Sequence, residues 1–168
     1  MNIEEFVDLL ISDLSNEYAH MHFYQQAATN VRGLHRQELS EFFSEQAKSE
    51  MQHVDEFRRL IQGIITRRKI DKTVPSNVAD FKKDLTCPKA LLRAALEMED
   101  QVVNNYVLRH KQAEDLSSEE SNAADATYVA LFLEDQILDS RGDADNILEM
   151  LETGIDCRGS SCKMHTSP

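Results

Sequence analysis

Between Leu39 and Ile64, the residues Leu39, Phe43, Ala47, Glu50, Val54, Phe57, Ile61 and Ile64 follow one another at spacings of three and four. All but one are apolar, and the exception, Glu50, is in the middle. The period is that of a helix with one face packed against others. The acid must enter the interior with that face. A buried carboxylate is expensive unless something pairs with it, and a metal ion is one such partner. His53 follows in Ser49-Glu50-Met51-Gln52-His53, one turn along the same face. An isolated Glu-x-x-His pair means little, so its weight depends on whether other helices bring acids to the same depth.

Three other segments do. A first helix begins at Asn2, with Glu4 and Glu5 in its first turn and Gly33 as its stop. Its stripe is Ile3, Phe6, Leu10, Leu14, Met21, Tyr24, Ala28 and Val31, and Glu17 stands at the centre. His20 is one turn after Glu17, near the stripe's edge, and Asp13 is one turn before it. A short link, Gly33 to Arg36, makes the first two helices antiparallel neighbours. The second runs to Arg68. From Lys69 to Thr86 the period is lost around Pro75-Ser76-Asn77, a crossover of about 18 residues that can carry the chain back along a bundle.

A third helix starts near Pro88 and frays around Glu114. Its stripe is Leu92, Ala95, Leu96, Val102, Val103 and Tyr106, with Glu99 central and Glu97 turned away. Ser117-Ser118-Glu119-Glu120 reads as a capping box opening a fourth helix, which runs to Thr153 with Gly154 as its stop. There Ala130, Leu131, Ile137 and Leu138 flank Glu134, which lies as far past the turn as Glu99 lies before it. A second stripe competes: Leu133, Ile137, Ser140, Ala144, Ile147 and Leu151. It pushes Glu134 to the edge and leaves Gln136 and Asp139, one turn apart, as alternative oxygen donors.

Composition agrees with an all-α chain: charged residues are plentiful, Gly and Pro are scarce, and Trp is absent. The length of 168 residues is that of one domain, taken as residues 1–153, followed by a flexible tail, 154–168. A net charge of −12 argues against a nucleic-acid surface and suits cation traffic or plain solubility. No apolar run is long enough to span a membrane. The N-terminus opens directly on acidic, periodic sequence, so no signal peptide is read and a cytoplasmic location is expected. There is no Gly-rich phosphate loop and no nucleophile motif. Cys87 directly precedes Pro88. Cys157 and Cys162, with His165, fall in the tail and match no strong zinc pattern.

The pattern is thus one acid at the centre of each of four stripes, plus His53. Four unpaired carboxylates at one depth would repel one another and cost several kcal/mol each. Apart from Arg141, no Lys or Arg is placed to neutralise them. Mixed carboxylate and imidazole donors suit iron or manganese better than structural zinc. A dinuclear carboxylate site is expected, in preference to a core of ion pairs.

Across about Asn2 to Thr153 the chain resembles the ferritin-like superfamily, and within it bacterial ferritins and bacterioferritins. The resemblance is carried by Asn16-Glu17 through Tyr24-Gln25-Gln26, by Ser49-Glu50-Met51-Gln52-His53, by Glu99 with Val103 and Tyr106, and by Leu133-Glu134-Asp135-Gln136. The gap of 33 between Glu17 and Glu50 is also like the family's. The resemblance implies a four-helix bundle with a long crossover between helices two and three. It also implies a centre of two iron ions that oxidises Fe(II) with O2 or H2O2 for iron storage or detoxification, within a homo-oligomer. Carried over, Glu17 and His53 hold one iron and Glu99 the other. Glu50 and Glu134 bridge them, and Tyr24 is an outer-sphere group or electron donor; otherwise it is a core tyrosine. The second Glu-x-x-His is missing, since Ile137 follows Glu134. Gln136, with Asp139, can stand for the glutamine of non-haem ferritins, and His20 can supply a nitrogen instead or remain an edge histidine. Met51 stands where bacterioferritins ligate haem, but alone it does not make a haem site, and haem is not expected. A diiron oxidase acting on another substrate and a bundle with a degenerate site are the alternatives.

Overall fold

The computed structural model describes residues 1–153, among which there are four helices and no strands: α1 (Ile3–Asn30), α2 (Arg36–Arg68), α3 (Pro88–Ser117) and α4 (Ala123–Glu152). Gly154 and the tail residues Cys157, Cys162 and His165 lie outside the described residues.

Local sequence sets most of the boundaries. Asn2 and Glu5 form a reciprocal capping box at the start of α1: the Glu5 amide donates to Asn2 Oδ1 at 2.8 Å and the Asn2 amide to Glu5 Oε2 at 2.9 Å. Gly33 takes φ +112°, which an L side chain rarely adopts, and this allows the tight passage into α2. Arg67 and Arg68 fill the last turn of α2, where cations suit the dipole, and Pro88 opens α3. The capping box expected at Ser117 does not form. The hydroxyls of Ser117 and Ser118 instead donate back to the carbonyls of Glu114 (2.6 Å) and Asp115 (2.8 Å). They therefore finish α3, which is longer than expected, and α4 starts only after Asn122.

The helices form an up–down–down–up bundle. Contacts between α1 and α3 run Asp13–Arg109, Glu17–Tyr106 and Tyr24–Glu99, so one numbering rises as the other falls. The same holds for α2 and α4 through Gln46–Asp143, His53–Asp139 and Arg67–Asp125. With α1 antiparallel to both, α2 and α3 run parallel, and the chain must travel the bundle's length between them. The segment 69–87 does so as irregular chain against α1 and α2. Lys72 Nζ donates to Asp8 at 2.6 Å, the Ala79 amide to the Ser15 carbonyl at 2.9 Å, and Arg58 to the Pro75 carbonyl at 3.2 Å. No described helix is long and apolar enough to cross a membrane.

The apolar core is split in two. One cluster holds Phe6, Leu10, Leu14, Phe57, Ile61, Ile64, Val129 and Leu133; the other holds Phe23, Tyr24, Ala27, Phe43, Ala47, Leu92, Ala95 and Ile147. Phe57 ties the first together, stacking on Tyr106 at 5.6 Å and meeting Phe132 edge-on at 4.8 Å. Between the two clusters, at one depth, lies a buried polar layer: Glu17, His20, Glu50, His53 and Glu99.

Candidate metal centre

Each residue of the layer owes its place to helical spacing. Glu17 and His20 are one turn apart on α1, as are Glu50 and His53 on α2, so each pair projects from one face. Glu99 comes from the facing side of α3. Donor atoms of Glu17, Glu50 and His53 lie within 4.8 Å of one another, and so do those of His20, Glu50 and Glu99. Glu50 belongs to both groups. His53 Nδ1 is 3.4 Å from Glu50 Oε2 and 3.6 Å from Glu17 Oε2; His20 Nδ1 is 3.8 Å from both Glu50 Oε1 and Glu99 Oε1. These gaps are too long for strong hydrogen bonds. Among the described residues, the buried atoms Glu50 Oε2 and Glu99 Oε2 find no hydrogen-bond partner. Carboxylate oxygens left so deep without donors fit cations, and a set of oxygens and imidazole nitrogens without thiolate suits Fe(II) or Mn(II).

Neighbouring side chains fix the acids. Tyr24 donates its hydroxyl to Glu99 Oε1 at 2.6 Å, and Tyr106 donates to Glu17 Oε1. Tyr106 therefore orients an acid besides filling the core. His53 Nε2 lies 2.9 Å from Asp139 Oδ2, which keeps a proton there and turns Nδ1 toward Glu17 and Glu50. One turn from Glu17, Asp13 is bound by Arg109 at 2.7 and 3.1 Å, both side chains being buried. The expectation that only Arg141 is near the faces fails here. Arg141 is on the surface with Asp100, while Arg109, near the end of α3, folds inward because Asp13 neutralises it.

Protons hold the layer together where cations are absent. Burial alone lowers the imidazole of His20, but its contact with Glu50 and the charges of Glu50, Glu99 and Glu17 outweigh that and lift it to about 9. For His53, burial is likewise outweighed by Glu17 and Glu50, and the ring rises to about 11. Burial pushes Glu50 up, yet both imidazoles bring it down to about 2. Glu99 is raised by burial to about 8, against the pull of His20, and burial raises Glu17 as well. Two imidazolium rings thus supply the positive charge among three acids.

Helix α4 departs from expectation. Its buried face is Leu133, Gln136, Ser140, Ala144 and Ile147. Glu134 is therefore turned outward, with its side chain 58% exposed, and accepts from His110 Nε2 at 3.1 Å. It is not part of the layer and does not span Glu17 and Glu99. The competing stripe prevails, and Leu131 and Leu138, counted above as apolar neighbours of Glu134, are exposed. Asp139 touches His53 rather than the acids, and Gln136 is buried with Nε2 directed at Glu56 Oε2, 3.3 Å away. His20, expected either as donor or as edge residue, is inside the layer at 4% exposure. Met51 is on the surface. Asp143 escaped the sequence reading. It is half-buried and accepts from Gln46, and its carboxyl is raised by burial, with the charges of Asp139 and Glu50 adding. Depth counted from a turn at Ser117 pointed to Glu134 instead, because α4 begins only after Asn122.

Comparison with solved structures gives the same fold. A ferritin-like, diiron-carboxylate protein from Bacillus anthracis str. Ames superposes with a TM-score of 0.75 at 24% identity, covering 90% of this chain and 99% of that one. An archaeal Dps homologue from Halobacterium salinarum gives 0.67 at 21% identity, covering 94% and 83%. A dodecameric thioferritin, the bacterioferritin-related protein of Bacteroides fragilis, gives 0.56 at 18% identity, covering 93% and 94%. No match is found among curated proteins. Residues 7–124 match the ferritin family model, described as a ferritin-like domain, and this stretch includes both Glu-x-x-His pairs, Glu99 and the crossover; the chain belongs to the ferritin-like family.

Proposed function

We propose that the protein is a ferroxidase: it takes up two Fe(II) ions in the buried layer and oxidises them with O2 or H2O2, in the service of iron storage or detoxification. The observation that carries this reading is the pair of buried three-residue donor groups sharing Glu50. Glu17 and His53 hold one Fe(II), His20 and Glu99 the other, and Glu50 serves both. Manganese fits the same donors. The relative from Bacillus anthracis is described as a diiron-carboxylate protein, which supports the reading. The dodecamer described for the Bacteroides fragilis protein supports a homo-oligomer.

Each part of the site has a task. The rigid helices hold the donors in place before metal arrives. Tyr24 and Tyr106 each occupy one oxygen of Glu99 and Glu17 and so aim the other. Asp139 keeps His53 turned inward. Each Fe(II) gives one electron. O2 takes two, with two protons, and leaves as hydrogen peroxide; H2O2 as oxidant takes two, with two protons, and becomes two waters. The carboxylates of Glu17, Glu50 and Glu99 would together offset part of the two positive charges added as both ions go from +2 to +3. Anaerobic Fe(II) titration followed by O2 tests this. Wild type is expected to bind two Fe(II) per chain and oxidise them quickly, and Glu50→Ala should stay helical with oxidation slowed at least about 100-fold. Unchanged kinetics in Glu50→Ala remove the residue from the site. Particle size measured alongside separates storage, with hundreds of irons in a large shell, from oxidation alone.

A further inference from the structure

Helix α2 is charged unevenly. Its last three turns carry Arg58, Arg59, Arg67 and Arg68, although the chain as a whole has a net charge of −12. Arg58, Arg59 and Arg67 line one cavity of about 570 Å³, together with Gly63, Thr66 and Val74 of the crossover. Among the described residues, Asp55 is the one acid on its wall. Arg59 follows Glu50 by nine residues, two and a half turns, so the cavity opens on the face of α2 turned away from the polar layer.

Most of this positive charge is not spent. Arg58 Nη1 donates to three neutral oxygens: Tyr18 Oη at 2.9 Å, the Pro75 carbonyl at 3.2 Å and Ser76 Oγ at 3.2 Å. Its position is fixed while its charge stays uncompensated. Arg59 is exposed and makes no hydrogen bond or ion pair among the described residues. Arg67 and Arg68 share a single carboxylate, Asp125, at 2.7 and 2.5 Å, so one of those two charges is also left over. Set against Asp55, the cavity keeps a surplus of about two positive charges. Donors are free as well. Arg67 commits Nε and Nη2 to Asp125, and its Nη1 reaches back over Gly63, 3.0 Å from where a Cβ would be. Gly63 lies four residues after Arg59 and four before Arg67, so the bare backbone between them is one turn from each. Glycine is unfavourable inside a helix, and here it leaves the floor of the cavity open. Thr66 accepts from Gln62 at 3.3 Å and keeps its own hydroxyl proton to give.

We propose that this cavity binds a phosphate dianion, free or as a monoester, held between Arg59 and Arg67 over Gly63, with the Thr66 hydroxyl as a further donor and Arg58 at the rim. The planar guanidinium fork matches phosphate oxygens, and a dianion balances the surplus charge where a single carboxylate would not. The volume and the apolar flank of Val74 leave room for the body of an ester. The site is separate from the metal centre and stands or falls without it.

The test is isothermal titration calorimetry of the full-length chain, freed of metal on a chelating resin, with inorganic phosphate at low ionic strength. Wild type is expected to bind one phosphate per chain, and Arg59→Gln to bind it at least about tenfold more weakly. Arg59→Lys, which keeps the charge but not the fork, should fall between them. Gly63→Leu removes no charge but fills the floor, and should weaken binding as much as Arg59→Gln. Glycerol phosphate is titrated in parallel: affinity equal to or above that of phosphate assigns the site to esters, and a tenfold preference for phosphate assigns it to the free ion. Absence of saturable binding in wild type overturns the proposal, as does wild-type affinity in Arg59→Gln. Wild-type affinity in a folded Gly63→Leu overturns it too, since the attraction would then be diffuse charge. If phosphate is ignored while Arg59→Glu alters the particle size, the groove receives an acidic face of a second copy, and the proposal is equally overturned.

Discussion

At the scale of single residues, the layer is a contest between protons and cations for the same carboxylates. His20 (about 9) and His53 (about 11) are protonated at pH 7 in the metal-free protein, and Glu99 (about 8) is largely so. Imidazole nitrogen and carboxylate oxygen must shed these protons to bind a metal. Uptake of two cations at pH 7 should therefore release roughly two to three protons per chain. Calorimetry in buffers of different ionisation enthalpy measures this, and release near zero would contradict the assignment. The same shifts fix the pH dependence of metal-free stability. Raised values mean that the folded state binds more protons than the unfolded one, over 4.5 to about 8 for Glu99 and from 6.5 to about 9 and 11 for His20 and His53. Their stabilisation is complete below those unfolded values and is lost as pH rises through the folded ones. Glu50, lowered from 4.5 to about 2, acts in the opposite sense, but only below about pH 4.5. Melting in chelator should therefore occur at lower temperature at pH 9 than at pH 6; a flat or rising profile would count against the charged cluster.

At the scale of elements, helix phase decides which acids meet. On α1, α2 and α3 the apolar stripe and the buried face coincide, so the depth of Glu17, Glu50 and Glu99 was legible from spacing alone. On α4 it was not. Leu131 and Leu138 are apolar yet exposed, and the true buried face passes through Gln136, Ser140 and Ala144, which hydropathy ranks poorly. Small and polar residues face inward there because that face lies against the polar layer rather than the apolar core. The inward turn of Arg109 was hidden for a related reason: a cation is buried only beside its acid, and Asp13 lies 96 residues away in sequence. The helix-scale consequence is direct. Glu134→Gln should bind two cations as wild type does, with stability within about 0.5 kcal/mol. His20→Ala should lose one of the two. Loss of metal in Glu134→Gln, measured by equilibrium dialysis, would reinstate that residue.

At the scale of the whole molecule, four helices and one long crossover place two antiparallel pairs so that a plane of polar side chains divides two apolar clusters. The two clusters flank the donors and hold them away from water. The net charge of −12 surrounds this centre with a field that attracts cations. Initial Fe(II) uptake should therefore slow severalfold on going from low salt to about 0.15 M, where screening acts over roughly 8 Å. Salt-independent uptake would mean that the field plays no part. Anomalous diffraction from crystals of the protein grown with Mn(II) shows whether Glu50 is shared between two cations. Two peaks per chain are expected, one beside Glu17 and His53, the other beside His20 and Glu99, with Glu50 touching both. A single peak, or manganese bound only at the surface while the imidazoles stay clasped by the acids, would contradict the sharing.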